Sequence, residues 1–432
     1  MRTFIIIWFG QLVSTIGSYM TEFALSIWAW QLTGSATALA LVGFFSQLPR
    51  IPITLFAGVI VDRCNRRHLM MLGDSIAVLS TIAIGLLYFT HNLQIWHLYL
   101  TGAVNSCFGQ LQQLAYSTSI TLLVPQHQYT RASSMGSIVH YGSTIFSPAL
   151  AGSLYPVIGL VGILLIDLST FAVAIATLLF VHIPQPPIVT AVNSAPEKWQ
   201  QLTFGFRYIL TKPGLYALIA ISSLFWFAHD LGGAVYDPMI LARTGGNAQV
   251  LGSVASAAGV GGVTGALIVS TWGGFQRQIK GVLLGFIGAG LSKTVFGLGR
   301  MPLIWIPAQF CSSLNFPLLG SSETAIWLAK VAPELQGRVF AAQSLILQVV
   351  SASATLIAGP IADYLLEPAM MPGGNLAAIF GGIFGTGSGA GIAILYVTAS
   401  ICMLLVGIGG FAFPTLRNVE DVILERDPAS AG

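Results

Sequence analysis

Twelve stretches of mainly apolar residues, each long enough to cross a lipid bilayer, run through this chain and dictate what it can become. A spanning helix needs about 20 such residues. The candidates lie at 4–31, 37–61, 69–90, 95–124, 132–155, 157–182, 213–241, 248–271, 279–299, 303–330, 338–366 and 390–414. Only 8% of the 432 residues are charged and 55% are hydrophobic, whereas a soluble chain carries about 25% charged residues. So few charges cannot cover a water-facing surface, but lipid requires none. The expected fold class is an all-α membrane protein with twelve transmembrane helices. The first span begins close to Met1 and is read as a retained helix, too long and too polar inside for a removable leader. Cys64, Cys107, Cys311 and Cys402 are far apart with no CxxC pair, so no metal site and no disulfide framework is expected.

The placement of positive charge gives an orientation. With the amino terminus inside, fourteen of the 18 Lys and Arg residues fall on cytoplasmic segments. Arg243 and Arg300 fall outside, while Arg50 and Lys293 lie within spans. That bias satisfies the positive-inside rule and predicts a multi-pass protein of the inner or plasma membrane with both termini cytoplasmic. The long connection at 183–212, opening on Pro184, Pro186 and Pro187, divides the chain. An amino-terminal six-helix half covers 1–182, a cytoplasmic linker 183–212, a carboxy-terminal six-helix half 213–414 and a cytoplasmic tail 415–432. The Gly-rich outer connection 367–389 is expected to lie at the interface or dip back without crossing.

The two halves repeat. VPQHQYTRASSM from Val124 aligns with VAPELQGRVFAA from Val331, so that Pro125 matches Pro333 at an offset of 208 and Arg131 matches Arg338 at 207. Pro148 matches Pro360 at 212 and Gly58 matches Gly265 at 207. Nearly one offset throughout predicts a pseudo-two-fold relation between the halves, with substrate at their interface. The same offset carries Glu22 in span 1 to His229 or Asp230 in span 7. Counted from the outer ends of their helices, Glu22 and Asp230 lie roughly 13 to 17 Å deep, close to the midplane.

Polar residues recur at helical spacing inside the spans. Span 1 carries Gln11, Ser14, Thr15, Ser18 and Glu22 on one face, and span 4 carries Asn105, Gly109, Gln112, Tyr116 and Ser119. Span 10 gives Ser312, Asn315, Ser322 and Glu323, and span 11 gives Ser344, Gln348, Ser351 and Thr355. Such stripes avoid lipid and either bind neighbouring helices or line a wet cavity. Both readings stay open for the Ser, Thr and Asn positions. The cost of a membrane-embedded charge favours a functional role for Glu22 and Asp230, with Arg50, at similar depth, as the expected partner of Glu22. Trp28, Trp30, Phe225, Trp226 and Tyr116 are expected to wall the cavity. Lys293 is expected to snorkel to the outer interface, and Asp74 and Asp363 to sit near solvent at helix ends. His229 gains interest from the adjoining Asp230. The segment Gly288–Thr294 imitates a phosphate loop but lacks the glycine before Lys293 and follows no strand. No HExxH or GxSxG motif occurs, so neither an enzyme nor a cofactor is expected.

The loop after span 2 reads Gly58-Val-Ile-Val-Asp62-Arg63-Cys-Asn-Arg66-Arg67. It resembles the signature of the major facilitator superfamily, with Asn65 at the position usually held by glycine. The resemblance implies that Gly58, Asp62, Arg63, Arg66 and Arg67 form a gating element, the acid meeting charged groups and a helix end in one state of the cycle. The matching second-half loop from Trp272 keeps Arg277 and Lys280 but has no acid. The chain further resembles the drug:proton antiporter branch of macrolide-efflux and enterobactin-type siderophore exporters, through STIGSYMTEFALSIWAWQLTGSA, FRYILTKPGL and the paired loops. Ser147-Pro148-Ala-Leu-Ala-Gly152 is similar to the span 5 antiporter motif, with Ser147 in place of its first glycine.

The resulting expectation is a monomeric, proton-coupled exporter of an amphiphilic small molecule that uses no nucleic acid partner and contacts membrane lipid. Glu22 and Asp230 would carry protons. Gln11, Ser18, Asn105, Gln112, Tyr116, Trp226, Asn315, Glu323 and Gln348 would line the substrate cavity. Uptake of a nutrient, or a non-transporting membrane sensor or scaffold, are the alternatives.

Overall fold

A computed structural model describes residues 2–125, 128–181 and 195–420, and every regular element among them is a helix. The chain starts with α1 (Arg2–Thr33), which ends where Gly34 takes a φ of +57°, a conformation that favours glycine. The second span is two helices, α2 (Ala36–Gln47) and α3 (Arg50–Arg63), because Pro49 cannot continue the hydrogen-bond ladder. Then follow α4 (Arg66–Phe89) and α5 (Ile95–Leu123). The helical stretch α6 (Tyr129–Phe180) holds spans 5 and 6, divided by a kink at Gly159 with φ 65° and ψ −172°. Span 7 is also broken, into α8 (Pro213–Ala234) and α9 (Tyr236–Thr244), after α7 (Ala195–Thr211).

Spans 8 to 10 are α10 (Ala248–Trp272), α11 (Gln278–Leu298) and α12 (Pro302–Lys330). Span 11 runs through α13 (Pro333–Pro360), a π-turn at Ile361–Leu366 and α14 (Glu367–Met370). After α15 (Ala377–Phe384), α16 (Ala390–Gly410) makes the last crossing and α17 (Pro414–Arg417) the tail.

Among the described residues, nine helical segments are long and apolar enough to cross a membrane. One of them, 142–180, contains parts of two spans, and the two missing from the set are α5 and α12. These are spans 4 and 10, whose polar stripes lower their hydropathy, so the twelve crossings are complete. Phe180, Val157 and Leu303 on the periphery are 80 to 90% exposed, as side chains turned to lipid are.

We name the face where α1 begins and α16 ends the terminal face, and the opposite face distal. On the terminal face Arg66 donates from Nη1 to the carbonyl of Thr118 at 2.8 Å, and Arg67 from Nη2 to that of Leu179 at 2.8 Å. These arginines thereby fasten the start of α4 to the final turns of α5 and α6, where carbonyls concentrate negative potential. Asn65, the departure from the usual glycine, caps α4 by accepting from the backbone N–H of Arg67 at 3.0 Å. The side chains of Asp62 and Arg63 and the surroundings of Gly58 lie outside the described residues, as does 183–194 of the linker.

The second half of the expected linker is the helix α7. It buries Ile209 and lays Phe204 under the guanidinium of Arg338, 4.8 Å from the ring centre. The second-half loop itself has no acid, and the tail supplies one to it. Glu420 accepts from the backbone N–H of Gln278 at 2.9 Å and of Ile279 at 3.3 Å, at the amino end of α11, while Lys330 Nζ donates to the Glu420 carbonyl at 2.7 Å. Leu416 and Val419 are buried beside it. Removing these acceptors should cost about 1–2 kcal/mol. The Glu420→Ala protein should therefore unfold at lower temperature in detergent, and an unchanged midpoint would show that α11 needs no cap.

On the distal face the halves meet closely. A Cβ on Gly252 would lie 2.5 Å from the Pro148 carbonyl oxygen, and one on Gly152 would lie 2.8 Å from that of Ala248. Only glycines allow α6 and α10 to cross at this distance. Gly359 of α13 likewise abuts the Thr37 backbone of α2. Asp363, half-exposed at the distal end of its span as expected, also caps the other half. Its carboxylate accepts from Ser35 Oγ at 2.6 Å and from the backbone N–H groups of Ala36 at 3.1 Å and Thr37 at 2.7 Å.

The Gly-rich connection contains no crossing, since α15 has eight residues, and it exposes Ile379 and Ile383. Arg300 Nη2 donates to the carbonyl of Gly382 at 2.9 Å, and Arg243 bridges the carbonyls of Gly299 and Phe384 at 2.6 and 3.0 Å. The two arginines outside the bias of positive charge therefore have a structural task.

Candidate functional site

A cavity of about 420 Å³ opens between α8 and α13, lined by Trp226, Asp230, Phe340, Gln343, Ser344, Leu347, Gln348 and Ser351. Every fourth residue of α13 from Phe340 to Gln348 faces it, which is why one face of that helix alternates aromatic, hydroxyl and amide groups. Asp230 is its one carboxylate among the described residues. The Asp230 side chain accepts a hydrogen bond from, or forms an ion pair with, His229 Nδ1 at 2.9 Å. Trp226 and Phe316 pack on the His229 ring with centroids 5.1 Å away in each case. Trp226, Asp230, Ser344, Gln348 and Ser351 are thus the sequence-read residues that the cavity brings together. Phe340 and Gln343, which sequence reasoning passed over, complete the same wall.

Several other residues of the polar stripes bind helix to helix. Gln112 Nε2 donates to Asp74 Oδ1 at 2.7 Å and to Gln11 Oε1 at 3.3 Å, gathering α1, α4 and α5. Asp74 is 2% exposed, against the expectation that it lies in solvent. Asn105 accepts from Ser80 at 2.8 Å, Asn315 donates to the Cys311 carbonyl of its own helix, and Glu323 accepts from Ser222 at 2.9 Å. Tyr116 packs among Val124, Phe4 and Leu123, and Ser18 faces Asp167. Of the expected aromatic wall, Phe225 is wholly buried, stacked on Phe286 with ring centres 3.9 Å apart, and Trp28 is part of the apolar core.

Glu22 is exposed, yet its charged neighbours are Arg50 on α3 and Asp237 on α9. Groups from both halves thus surround it, which places its carboxylate in the space between the halves and away from lipid. The expected contact with Arg50 is absent: among the described residues the one ion pair within 4.0 Å is His229 with Asp230. Arg50 opens α3 after the Pro49 break and donates from Nε to Ser106 Oγ at 2.9 Å, and Ser106 in turn donates to the Ser46 carbonyl. Arg50 acts on Glu22 through space, held by α5.

Lys293 does not snorkel. It is 7% exposed, over the ring of Tyr396 at 5.7 Å, with Asp230 and His229 as charged neighbours. It shares the buried face of α11 with Phe286, Ala289, Gly290 and Gly297, a helical spacing visible in the sequence. Among the described residues no group of three or more His, Cys, Asp and Glu could hold a metal.

Two six-helix halves with carboxylates between them are an architecture with known relatives. The model of the Major Facilitator Superfamily matches residues 7–355. The chain belongs to that superfamily. Macrolide efflux protein A of Streptococcus pyogenes is 26% identical over 363 residues, covering 83% of this chain and 89% of that protein. The multidrug efflux pump Tap of Mycolicibacterium fortuitum is 21% identical over 428 residues, covering 96% and 97%.

Solved structures share the fold. A bacterial homologue of the lysosomal transporter Spinster, inward-facing and unoccupied, aligns with a TM-score of 0.66 at 14% identity over 97% of each chain. A bacterial homologue of the iron transporter ferroportin, in its inward-facing state, gives 0.64 at 16% identity over 94% of this chain and 98% of its own. The family signature read in Gly58–Arg67 is therefore borne out. As a superfamily member the protein is a multi-pass membrane transporter of small molecules.

Proposed function

We propose that this protein exports an amphiphilic small molecule in exchange for protons, by alternating access of a central cavity. The observation that carries the reading is the cavity between α8 and α13, in which apolar and aromatic walls from Trp226, Phe340 and Leu347 surround one carboxylate, Asp230. Apolar walls with few polar groups suit a bulky, partly apolar ligand. A carboxylate there can hold a proton or the cationic group of a ligand in turn, which is what exchange requires. The names of the macrolide and multidrug efflux relatives support export over import, and macrolides are the first compounds to test.

In this reading the protein works as a monomer in the plasma membrane, with the terminal face cytoplasmic. That orientation follows from the bias of Lys and Arg toward the terminal face. The halves at 1–182 and 213–414 rock about the midplane, joined by the linker 183–212. The pairing on the distal face through Asp363 and the glycine crossings then closes the outer side. Glu22 and Asp230 carry protons, and Arg50 acts on Glu22 from its anchor on Ser106.

The experiment is accumulation of radiolabelled erythromycin in cells with and without the protein. Cells carrying the wild type should accumulate several-fold less, and cells carrying Asp230→Asn should match those without the protein at equal expression. Greater accumulation with the wild type would mean uptake. Equal accumulation for erythromycin and for a panel of amphiphilic dyes would remove the export reading and favour a sensor or scaffold.

A further inference from the structure

The amino-terminal half contains a buried carboxylate that the cavity does not use. Asp167 lies on the second part of α6, about 20 Å from the end of that helix at Phe180, and is 1% exposed. Thr81 of α4 donates to its Oδ2 at 3.0 Å. Ser18 and Thr21 of α1 turn their hydroxyls toward the same carboxylate. Yet Asp167 Oδ1 and Thr21 Oγ1 are each buried without a hydrogen-bond partner. The side chains acting on the carboxylate are hydroxyls, with no cation among them. Along the packed helices, the charged residue next to Thr21 on α1 is Glu22, and the one on α4 closest in sequence to Thr81 is Asp74, held by Gln11 and Gln112. No Lys, Arg, Asp or Glu occurs on α10, which packs on the other part of α6.

An unpaired charge in such a place is costly, and each unmatched polar atom adds to that cost. A small cation removes both costs together. A proton on the carboxyl group removes the charge and turns one of its oxygens into a donor for the hydroxyls around it. A sodium ion would take the same oxygens as ligands, since hard cations are bound by carboxylate, hydroxyl and carbonyl oxygens. We propose that Asp167, Ser18, Thr21 and Thr81 form an exchangeable site for one small monovalent cation, a proton or sodium, that fastens α1 to α4 and α6. Because Thr21 precedes Glu22, occupancy of this site sets the position of α1 beside the carboxylate between the halves. The site goes beyond the export reading, and its ion chemistry can be tested without any substrate.

The test uses the purified full chain in detergent, with choline replaced by sodium at constant ionic strength and pH, and thermal unfolding as the readout. A sodium-dependent rise in the midpoint that is lost in both Asp167→Asn and Thr21→Val establishes the sodium form. Infrared difference spectra on changing pH distinguish the proton form. A protonated-carboxyl band that is absent from Asp167→Asn, shifted in Thr21→Val and lost as pH rises establishes it. An unfolding midpoint indifferent to sodium, together with an Asp167 carboxyl signal that does not change with pH, would overturn the proposal and leave Asp167 a fixed structural group. Should Asp167→Asn fail to fold, Thr21→Val keeps both readouts, since it preserves side-chain volume and removes one oxygen.

Discussion

The Glu22→Gln protein should lose proton-driven efflux while still exchanging substrate across the membrane without a gradient. Glutamine keeps the size and polarity of the side chain but cannot release a proton, so the substrate-binding wall of α8 and α13 stays intact while the ion step is removed. The structure favours Glu22 for that step because charged groups from both halves, Arg50 and Asp237, act on it. A carboxylate so placed experiences a different field whenever the halves move, and a differential interaction between two states is what couples an ion to a conformational change. Energised efflux in vesicles should fall to the level of vesicles without protein, with counterflow at a rate comparable to wild type. Retained energised efflux would move the proton to Asp230.

Asp363→Ala should open the distal face. The carboxylate joins α13 to the amino end of α2 through three hydrogen bonds, at a helix end where negative charge is favoured. Hydrogen bonds to charged groups contribute about 1.5–3 kcal/mol each when buried, and this group is partly exposed. We therefore expect a loss of about 2 kcal/mol in total, which shifts the balance of states by about thirtyfold. The check is modification of a cysteine placed at Ser351, on the cavity wall, by a membrane-impermeant thiol reagent added on the distal side, in a background lacking the four native cysteines. Modification should speed up by up to the same factor. Asp363→Glu should fall between, and a rate equal to wild type would show that the glycine crossings alone hold that face closed.

What the sequence disclosed depended on whether the signal was local. Twelve crossings were legible because apolar length is a property of contiguous residues. The polar stripes of spans 4 and 10 were legible for the same reason, and they are why α5 and α12 are less apolar than their neighbours. The break between α2 and α3 went unread, although Pro49 is a local signal for it. The polar stripes alone could not say whether they face helices or a cavity, since that depends on how each helix is rotated in the bundle. Gln11 and Gln112 turned to Asp74, while Gln348 turned to the cavity.

Lys293 was misread because its distance from Arg300 along the chain was weighed above its place on the glycine and alanine face of α11. The cluster around Asp167 takes side chains from three helices separated by dozens of residues, so no local pattern reveals it. Glu420 meets Gln278 across 142 residues. A search for an acid within the second-half loop itself could not find one supplied by the tail.

The most direct measurement of the central claim uses purified protein in liposomes, with a pH gradient imposed in either direction and erythromycin followed alongside internal pH. The account predicts that erythromycin moves against its own gradient, opposite to the protons, and that each movement requires the other. Erythromycin moving in the same direction as the protons, or moving equally fast with no pH gradient, would contradict it.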